Sequence, residues 1–227
     1  MIITKLPLKT IKRLANKIFG SKIDGPSWKF RHLLDKKWSE SYISKQSIYN
    51  PFRKFFIEKI SAYFPFDNAL EIGCASGPNL YLLAQKIPQA KFYGIDISKK
   101  AIETGKKFFT KENIKNVFLE AGKAENLKKI QDKSIDIIFT NAVLVCIGPD
   151  KIDSVIKEIL RVAKKAIIFC EWHTDSPKSL YIDYWAHNYK LLLTQFVSDK
   201  KIKITKIPES LWGGTWGKLG YIIEVIL

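Results

Sequence analysis

The sequence predicts an α/β fold: a mostly parallel, seven-stranded sheet with helices on both faces, a terminal antiparallel hairpin and an N-terminal helical cap. From residue 68 onward, short apolar runs alternate with amphipathic segments of helical length, the pattern of strands joined by crossover helices. The runs are almost continuously hydrophobic, as strands are when helices cover both faces of their sheet. A chain of 227 residues, 46% of them hydrophobic, is long enough to bury such a core.

The first 63 residues are predicted to form a basic helical cap, and the main domain is expected to span residues 64–227. Residues 7–19 repeat apolar side chains at helical spacing, with lysines on the opposite face. Further helices are predicted around 27–40 and at 51–63, the latter with a proline in its first turn. The helix at 7–19 can lie on an anionic membrane or pack onto its own domain, and the sequence leaves both open.

The elements of the main domain are predicted in chain order. Strands are expected at 69–72, 92–95, 117–119, 135–139 and 166–169. Helices are expected at 78–87, 98–109, 149–164 and 182–197. The chain then ends in two apolar runs, 201–207 and 221–227, whose connecting loop contains Gly-Gly-Thr-Trp-Gly, so an antiparallel hairpin is predicted there.

Charge and cysteine content limit the partners that we expect. The formal net charge of +16 raises nucleic acid or an anionic membrane as partners. The excess is almost entirely lysine, which lacks the planar fork of arginine, so we predict a solvated lysine-rich surface and no nucleic acid partner. Cys74, Cys146 and Cys170 lie far apart without a Cys-x-x-Cys pair, which predicts reduced thiols in a cytoplasmic protein and no metal site. Neither a signal peptide nor a membrane-spanning run is expected.

The loop after the first strand carries the sharpest signal in the chain. Glu71 and Gly73 precede a turn that reaches Gly77 just before a helix begins. Glycine lets a nucleotide-like ligand approach main-chain N–H groups at the carboxyl edge of the sheet. Asp96 ends the second strand, where a carboxylate can accept hydrogen bonds from both hydroxyls of a ribose. Together these features predict an adenosine site.

The spacing of the glycines argues against a dinucleotide cofactor. That fingerprint needs glycine at two positions that Ala75 and Pro78 occupy here. Pro78 also removes one N–H from the helix N-terminus that would hold a pyrophosphate. The Glu71 carboxylate would repel a pyrophosphate, but it suits a cofactor with an ammonium group and a cationic sulfur.

These residues resemble the class I S-adenosylmethionine-dependent methyltransferases, whose first motif runs acidic-x-Gly-x-Gly-x-Gly and whose second strand ends in an acidic residue. Residues 120–127 resemble the adenine-edge loop of that family, residues 134–144 resemble its fourth motif, and the resemblance covers roughly residues 50–227. It implies a Rossmann-like fold with S-adenosylmethionine as cofactor. The implied cofactor-binding residues are Glu71, Gly73, Cys74, Ala75, Gly77, Asp96, Ile97, Lys123, Ala124 and Asn141.

Within that resemblance, each segment is expected to contact one part of the cofactor. The turn from Gly73 to Gly77 would cradle the methionine part, Ile97 would cover the adenine face, and Asn141 would form the wall near the sulfonium. This sequence departs from the family pattern in three places. Ala75 replaces a glycine, Lys123 stands where many members have aspartate, and Cys146 stands where many small-molecule members have histidine.

The acceptor is expected beyond the ends of the fourth and fifth strands. Glu171 and His173, at the end of the fifth strand, are predicted to take a proton from an acceptor hydroxyl, and His187 is a weaker candidate. The closing stretch looks like a bacterial subgroup that modifies surface sugars, which implies a sugar or glycolipid hydroxyl as acceptor. Residues 7–19 would then keep the enzyme at the inner membrane face.

Two alternatives to a small-molecule methyltransferase stay open at this stage. The positive charge motivates an RNA methyltransferase, although the sequence shows no recognisable RNA-binding module. The departures at Ala75, Lys123 and Cys146 motivate a protein that binds the cofactor, has lost catalysis and acts as a membrane-associated partner.

Overall fold

The computed structural model describes residues 37–227. The predicted helix at 7–19 and most of the one around 27–40 lie outside the described residues. Helices and strands are numbered from the first one described. The helices are α1 (Trp38–Ser41), α2 (Lys45–Ile48), α3 (Pro51–Ser61), α4 (Pro78–Lys86), α5 (Lys99–Lys111), α6 (Ile152–Val162), α7 (Tyr189–Thr194) and α8 (Thr215–Leu219). The strands are β1 (Asn68–Ile72), β2 (Lys91–Asp96), β3 (Val117–Ala121), β4 (Ile135–Asn141), β5 (Ala163–Trp172), β6 (Leu180–Tyr181), β7 (Trp185–Ala186), β8 (Ile202–Lys206) and β9 (Gly220–Ile226).

The main sheet has seven strands in the order β3-β2-β1-β4-β5-β9-β8. Strands β1 to β5 pair in parallel, and β9 pairs antiparallel with both β5 and β8. The predicted Rossmann-like sheet with a terminal antiparallel pair is therefore confirmed. The strand order reverses between β1 and β4, and ligands of open α/β sheets bind where the carboxyl ends diverge at such a point.

Helices cover both faces of the sheet, as the continuous apolar runs predict. One core packs α3, α4 and α5 against β2 and β4. The other packs α6 and α7 against β4 and β5. Strand β4 is buried along nearly its whole length, and burial on both faces explains why its sequence shows no alternation of polar and apolar residues.

Helix α3 belongs to the first of these cores, although its sequence was assigned to the cap. It begins where Asn50 caps it, since the Asn50 Oδ1 atom accepts from Phe52 N at 2.9 Å, and Pro51 occupies the first turn as predicted. The fully buried Phe56 ring meets Phe139 of β4 edge to face, with ring centroids 6.0 Å apart. This contact fixes α3 over the sheet.

The prediction of a helix at 182–197 is wrong for the first half of that range. Residues 180–186 form a short antiparallel pair, β6 and β7, in which Tyr181 and Trp185 bring their rings 4.9 Å apart. The helix starts only at Tyr189, where the Asn188 side chain accepts from Leu191 N at 3.0 Å. Bulky aromatic side chains favour paired strands over helix, which explains the difference.

Other differences from the predicted elements are smaller. The described end of the helix predicted at 27–40 is the short α1, and a turn separates it from α2. Strand β5 extends beyond its predicted 166–169 at both ends, and the loop of the terminal hairpin contains α8. No helix within residues 37–227 is both long enough and apolar enough to cross a membrane.

We expect the change Phe56→Ala to lower the free energy of unfolding by about 3–5 kcal/mol, because it leaves a cavity between α3 and the sheet. Chemical denaturation of the full chain measures this change. The matched control is Phe196→Ala, which removes a ring that is 41% exposed and should cost only about 0.5 kcal/mol. Equal losses in the two variants would contradict the packing of α3 into the core.

Candidate active site

A cavity of about 450 Å³ opens at the carboxyl ends of β1, β2 and β4. This volume lies in the range of pockets that hold a small ligand. All of the predicted cofactor residues except Gly77 line it: Glu71, Gly73, Cys74, Ala75, Asp96, Ile97, Lys123, Ala124 and Asn141. Gly77 stands just before α4, where it closes the turn with φ +82°. The structure thus brings together residues that lie far apart in the sequence.

The turn after β1 is shaped by a backbone that approaches its neighbours closely. Gly73 has φ +73°, and a Cβ atom placed on it would lie 2.0 Å from a methyl carbon of Val143. Its N–H donates to the Ile95 carbonyl at 2.6 Å. Ala75 stands where the family motif has its middle glycine. Its backbone adopts φ +49°, a conformation that residues other than glycine rarely adopt.

Asp96 fastens this turn to the end of β2. Its Oδ2 atom accepts from Ala75 N at 2.8 Å, and its Oδ1 atom accepts from Ser98 N at 2.8 Å. Burial raises the pKa of Asp96, and these two hydrogen bonds oppose that rise. A carboxylate offers about four acceptor positions, so Asp96 keeps acceptor capacity for the hydroxyls of a ribose.

Glu71 lies at the floor of the cavity in a chain of polar contacts. The Asn79 amide donates to Glu71 Oε1 at 2.5 Å, and the Arg53 guanidinium donates to the Asn79 carbonyl oxygen. Burial raises the pKa of Glu71 to about 8, while the hydrogen bond from Asn79 and the charge of Arg53 act in the opposite direction. Sequence reasoning missed Asn79 and Arg53, although Arg53 is one of few arginines in a lysine-rich chain.

The residues of this cavity fit S-adenosylmethionine. Glu71 Oε2 and Asn141 Oδ1 are buried acceptors without a hydrogen-bond partner among residues 37–227, and an ammonium group supplies the donors that such atoms lack. Arg53 lines the same wall and can hold a carboxylate, so both charges of an amino acid tail find a counterpart. The close approach at Gly73 lets the Val143 side chain pack against the main chain of the turn.

The predicted bases are not on the wall of the cavity. Glu171 is fully buried, and it accepts from Thr140 Oγ1 at 2.7 Å, from Val143 N at 3.1 Å and from Val145 N at 3.0 Å. Burial raises the pKa of Glu171 to about 7, and these hydrogen bonds oppose the rise. The side chain therefore anchors the loop after β4, and its position gives no support to the prediction that it takes a proton from the acceptor.

The histidines are also set behind the wall of the cavity. His173 is buried, with Nδ1 accepting from Tyr189 N at 3.3 Å. His187 Nε2 lies 2.9 Å from the Ile147 carbonyl, which only an N–H can satisfy, so its Nδ1 accepts from Ser179 Oγ at 2.8 Å. His187 thereby ties β7 to the loop after β4. Burial lowers the pKa of both histidines.

Aromatic side chains line the same cavity, and we call the part of the wall that they form the aromatic chamber. It is lined by Tyr42 from the turn after α1, by Tyr184 from the connection of β6 to β7, and by Trp212 and Trp216 from the connection of β8 to β9. Cys146, which stands where histidine was expected, also lines the cavity. No sequence motif marked these aromatic residues, because three separate segments bring them together.

The comparison with protein families decides the relationship of this chain. A family model described as a methyltransferase domain matches residues 66–222. The chain belongs to this methyltransferase family. The prediction of a class I S-adenosylmethionine-dependent methyltransferase is thereby confirmed, and so is the predicted cofactor.

Curated relatives match over part of their length. The uncharacterized protein RP028 of Rickettsia prowazekii is 31% identical over 106 residues, which cover 46% of this chain and 42% of that protein. The human tRNA N(3)-cytidine methyltransferase METTL6 is 30% identical over 107 residues, which cover 45% of this chain and 38% of that protein. The chain thus spans less than half the length of these relatives.

Solved structures resemble the fold over almost the whole chain. The plantazolicin methyltransferase BpumL, solved in complex with SAH, has a TM-score of 0.63 at 18% identity and covers 97% of this chain and 99% of its own. The magnesium protoporphyrin IX methyltransferase ChlM from Synechocystis PCC 6803 has a TM-score of 0.60 at 16% identity, with 99% of both chains covered. At these identities the likeness shows the fold.

We expect the affinity for S-adenosylhomocysteine to rise with pH up to about pH 8. Below that value the Glu71 carboxyl is protonated in the unliganded chain, and it must lose its proton to pair with the ammonium of the ligand. Calorimetry between pH 6 and pH 8.5 measures the slope, and Glu71→Gln should weaken binding and flatten the curve. The exposed Glu103→Gln, which lies off the cavity wall, serves as control and should keep the slope; an unchanged slope in Glu71→Gln would contradict the assignment.

We expect Glu171→Ala to lower the free energy of unfolding by about 1–3 kcal/mol, because three donors lose their acceptor. It should also weaken the binding of S-adenosylhomocysteine, because Val143 packs over Gly73. Denaturation and calorimetry check both effects, with the exposed Glu120→Ala as control. A base with no structural role would leave both quantities unchanged, which would contradict the anchoring role.

Proposed function

We propose that this chain is an S-adenosylmethionine-dependent methyltransferase that acts on a small acceptor held in the aromatic chamber. One observation carries the proposal: a single cavity joins the acidic residues that suit the cofactor, Glu71 and Asp96, to the aromatic chamber. When bound, S-adenosylmethionine supplies an electrophilic methyl group on a cationic sulfur. Positioning the two reactants in contact accounts for a large part of the rate in such a transfer.

The residues of the chain then divide into three tasks. Glu71, Asp96 and Arg53 bind and orient the cofactor through its charged and hydroxyl groups. Glu171 holds the loop after β4, whose residues line the cavity. The rings of the aromatic chamber exclude water from the reacting atoms, and a water-poor site strengthens electrostatic interactions.

A sugar or glycolipid hydroxyl, the acceptor predicted from the sequence, stays a prediction. Aromatic walls can cover the apolar face of a sugar ring. A hydroxyl, however, needs a base, and Glu171 and His173 lie off the cavity wall. Contact of residues 7–19 with an anionic membrane and the boundary at residue 63 stay proposals from the sequence.

A second candidate is a methyltransferase that acts on RNA. It is favoured by the net charge of +16 and by relatives named as tRNA methyltransferases, which match this chain over less than half its length. A base flipped out of an RNA strand stacks on aromatic side chains, and the aromatic chamber offers such side chains.

The cofactor is tested by thermal unfolding with S-adenosylhomocysteine and, separately, with NAD. At 100 times its dissociation constant, the former should stabilise the chain by about 2.7 kcal/mol, or roughly 5–10 °C, because it binds only the folded state. Asp96→Ala should abolish most of the shift, while the exposed Asp199→Ala should keep it. A shift with NAD alone, or with neither ligand, would refute the proposed function.

A further inference from the structure

The walls of the aromatic chamber point to the shape of the acceptor. Trp212 and Trp216 stack with ring centroids 4.0 Å apart and planes inclined by 7°. The rings of Trp216 and Tyr184 both contact Trp172, at 5.8 Å and 5.6 Å, so they border the same part of the cavity. Trp212 lies between Trp216 and Phe52, whose ring centroid is 4.3 Å away, so Trp216, Tyr42 and Tyr184 are the rings of the chamber that remain for a ligand. Aromatic walls favour a ligand that is itself a flat ring, because offset stacking and edge contacts add to the burial of its surface.

The described wall of the cavity holds no histidine, the commonest base for an acceptor hydroxyl, although Lys123, Lys151 and Cys146 line it beside its carboxylates. Its carboxylates are Glu71, Asp96 and Glu125. Glu71 and Asp96 are buried on the cofactor side, where each accepts a hydrogen bond from the protein, and Glu125 is exposed on the loop after β3. Burial raises the pKa of Tyr42, as does the nearby charge of Asp96, so this phenol keeps its proton at neutral pH.

A ring nitrogen of the pyridine or imidazole type removes the need for a base. Its lone pair is available at neutral pH and forms the new N–C bond as the S–C bond to the methyl group breaks. The electron pair of that bond goes to sulfur, the positive charge passes to the ring, and no proton is transferred. Indole and phenol faces attract such a cation.

We propose that the acceptor is a flat heteroaromatic ring with a nitrogen lone pair as nucleophile, and that Trp216, supported by Trp212 stacked against it, holds the cationic methylated ring. This inference rests on the methyltransferase function proposed above. The ring can be a free small molecule or a base within RNA, since both present the same chemistry. The net charge of +16 repels cations in general, so a preference for a cation has to come from the chamber itself.

Titration calorimetry of the full chain, saturated with S-adenosylhomocysteine at pH 8, tests the chamber. The probes are N-methylquinolinium and the neutral 4-methylquinoline, which have the same number of non-hydrogen atoms and differ in charge. We expect the cation to bind about tenfold more tightly, an effect of the size that desolvated cation–π contacts give. Trp212→Leu and Trp216→Leu should bring the ratio close to one, while Trp216→Phe should retain part of it.

The control variant is Phe196→Leu, whose exposed ring lies outside the cavity wall, and it should keep the full ratio. The affinity for S-adenosylhomocysteine is measured in each variant, so that a loss of folding is separated from a loss of the chamber. Equal binding of the two probes, absence of binding by both, or a preference that survives both leucine variants would overturn the inference. Failure of the unaltered chain to bind S-adenosylhomocysteine would instead refute the proposed function.

A second arm identifies the source of the ring. The chain is incubated with methyl-labelled S-adenosylmethionine and either free nucleosides or an RNA of mixed sequence. Label on a ring nitrogen supports the inference and shows which source is used. Label on a ribose hydroxyl overturns it, and the cation titration decides where neither arm takes label.

Discussion

Two buried carboxylates, Glu71 and Glu171, organise this site at the carboxyl edge of the sheet. The number of hydrogen bonds that each one accepts from the protein determines its role. A carboxylate removed from water is costly unless donors replace the water. Glu171 accepts hydrogen bonds from one hydroxyl and two main-chain N–H groups, so both of its oxygens have partners within the protein. Glu71 accepts a hydrogen bond from one side-chain amide, and its second oxygen has no partner among the described residues. The first carboxylate therefore holds a loop, and the second is left for a ligand.

The cofactor-binding residues could be predicted from the sequence, because each of their motifs lies within a short stretch of the chain. The turn from Gly73 to Gly77 and the acidic end of β2 each lie within a few residues of a strand, and the parallel sheet carries them to one edge. The same logic placed Glu171 at that edge correctly. It could not give the direction of the Glu171 side chain, because β5 is buried on both faces and its sequence shows no alternation to read.

Neither the acceptor side nor the place of Arg53 on the cofactor side could be predicted, because both are products of tertiary packing. Arg53 belongs to α3, a helix whose sequence reads as part of a basic cap, and it reaches the cavity because Phe52 and Phe56 bury that helix in the core. Trp212 comes from a loop near the end of the chain and meets the Phe52 ring at 4.3 Å. No spacing in the sequence connects positions so far apart, so only the folded chain shows that they share a wall.

The family match covers one part of the cavity wall and leaves another part outside it. The family match begins at residue 66, after α3, so it includes Glu71 and Asp96 but neither Tyr42 nor Arg53. The contact of Phe52 with Trp212 joins the segment before the matched region to the connection that precedes the last strand. The wall of the cavity therefore needs both the segment before the matched region and the connection of β8 to β9. It follows that the acceptor has to be argued from the walls of the chamber, since the matched region supplies Glu71 and Asp96 of the side that holds the cofactor.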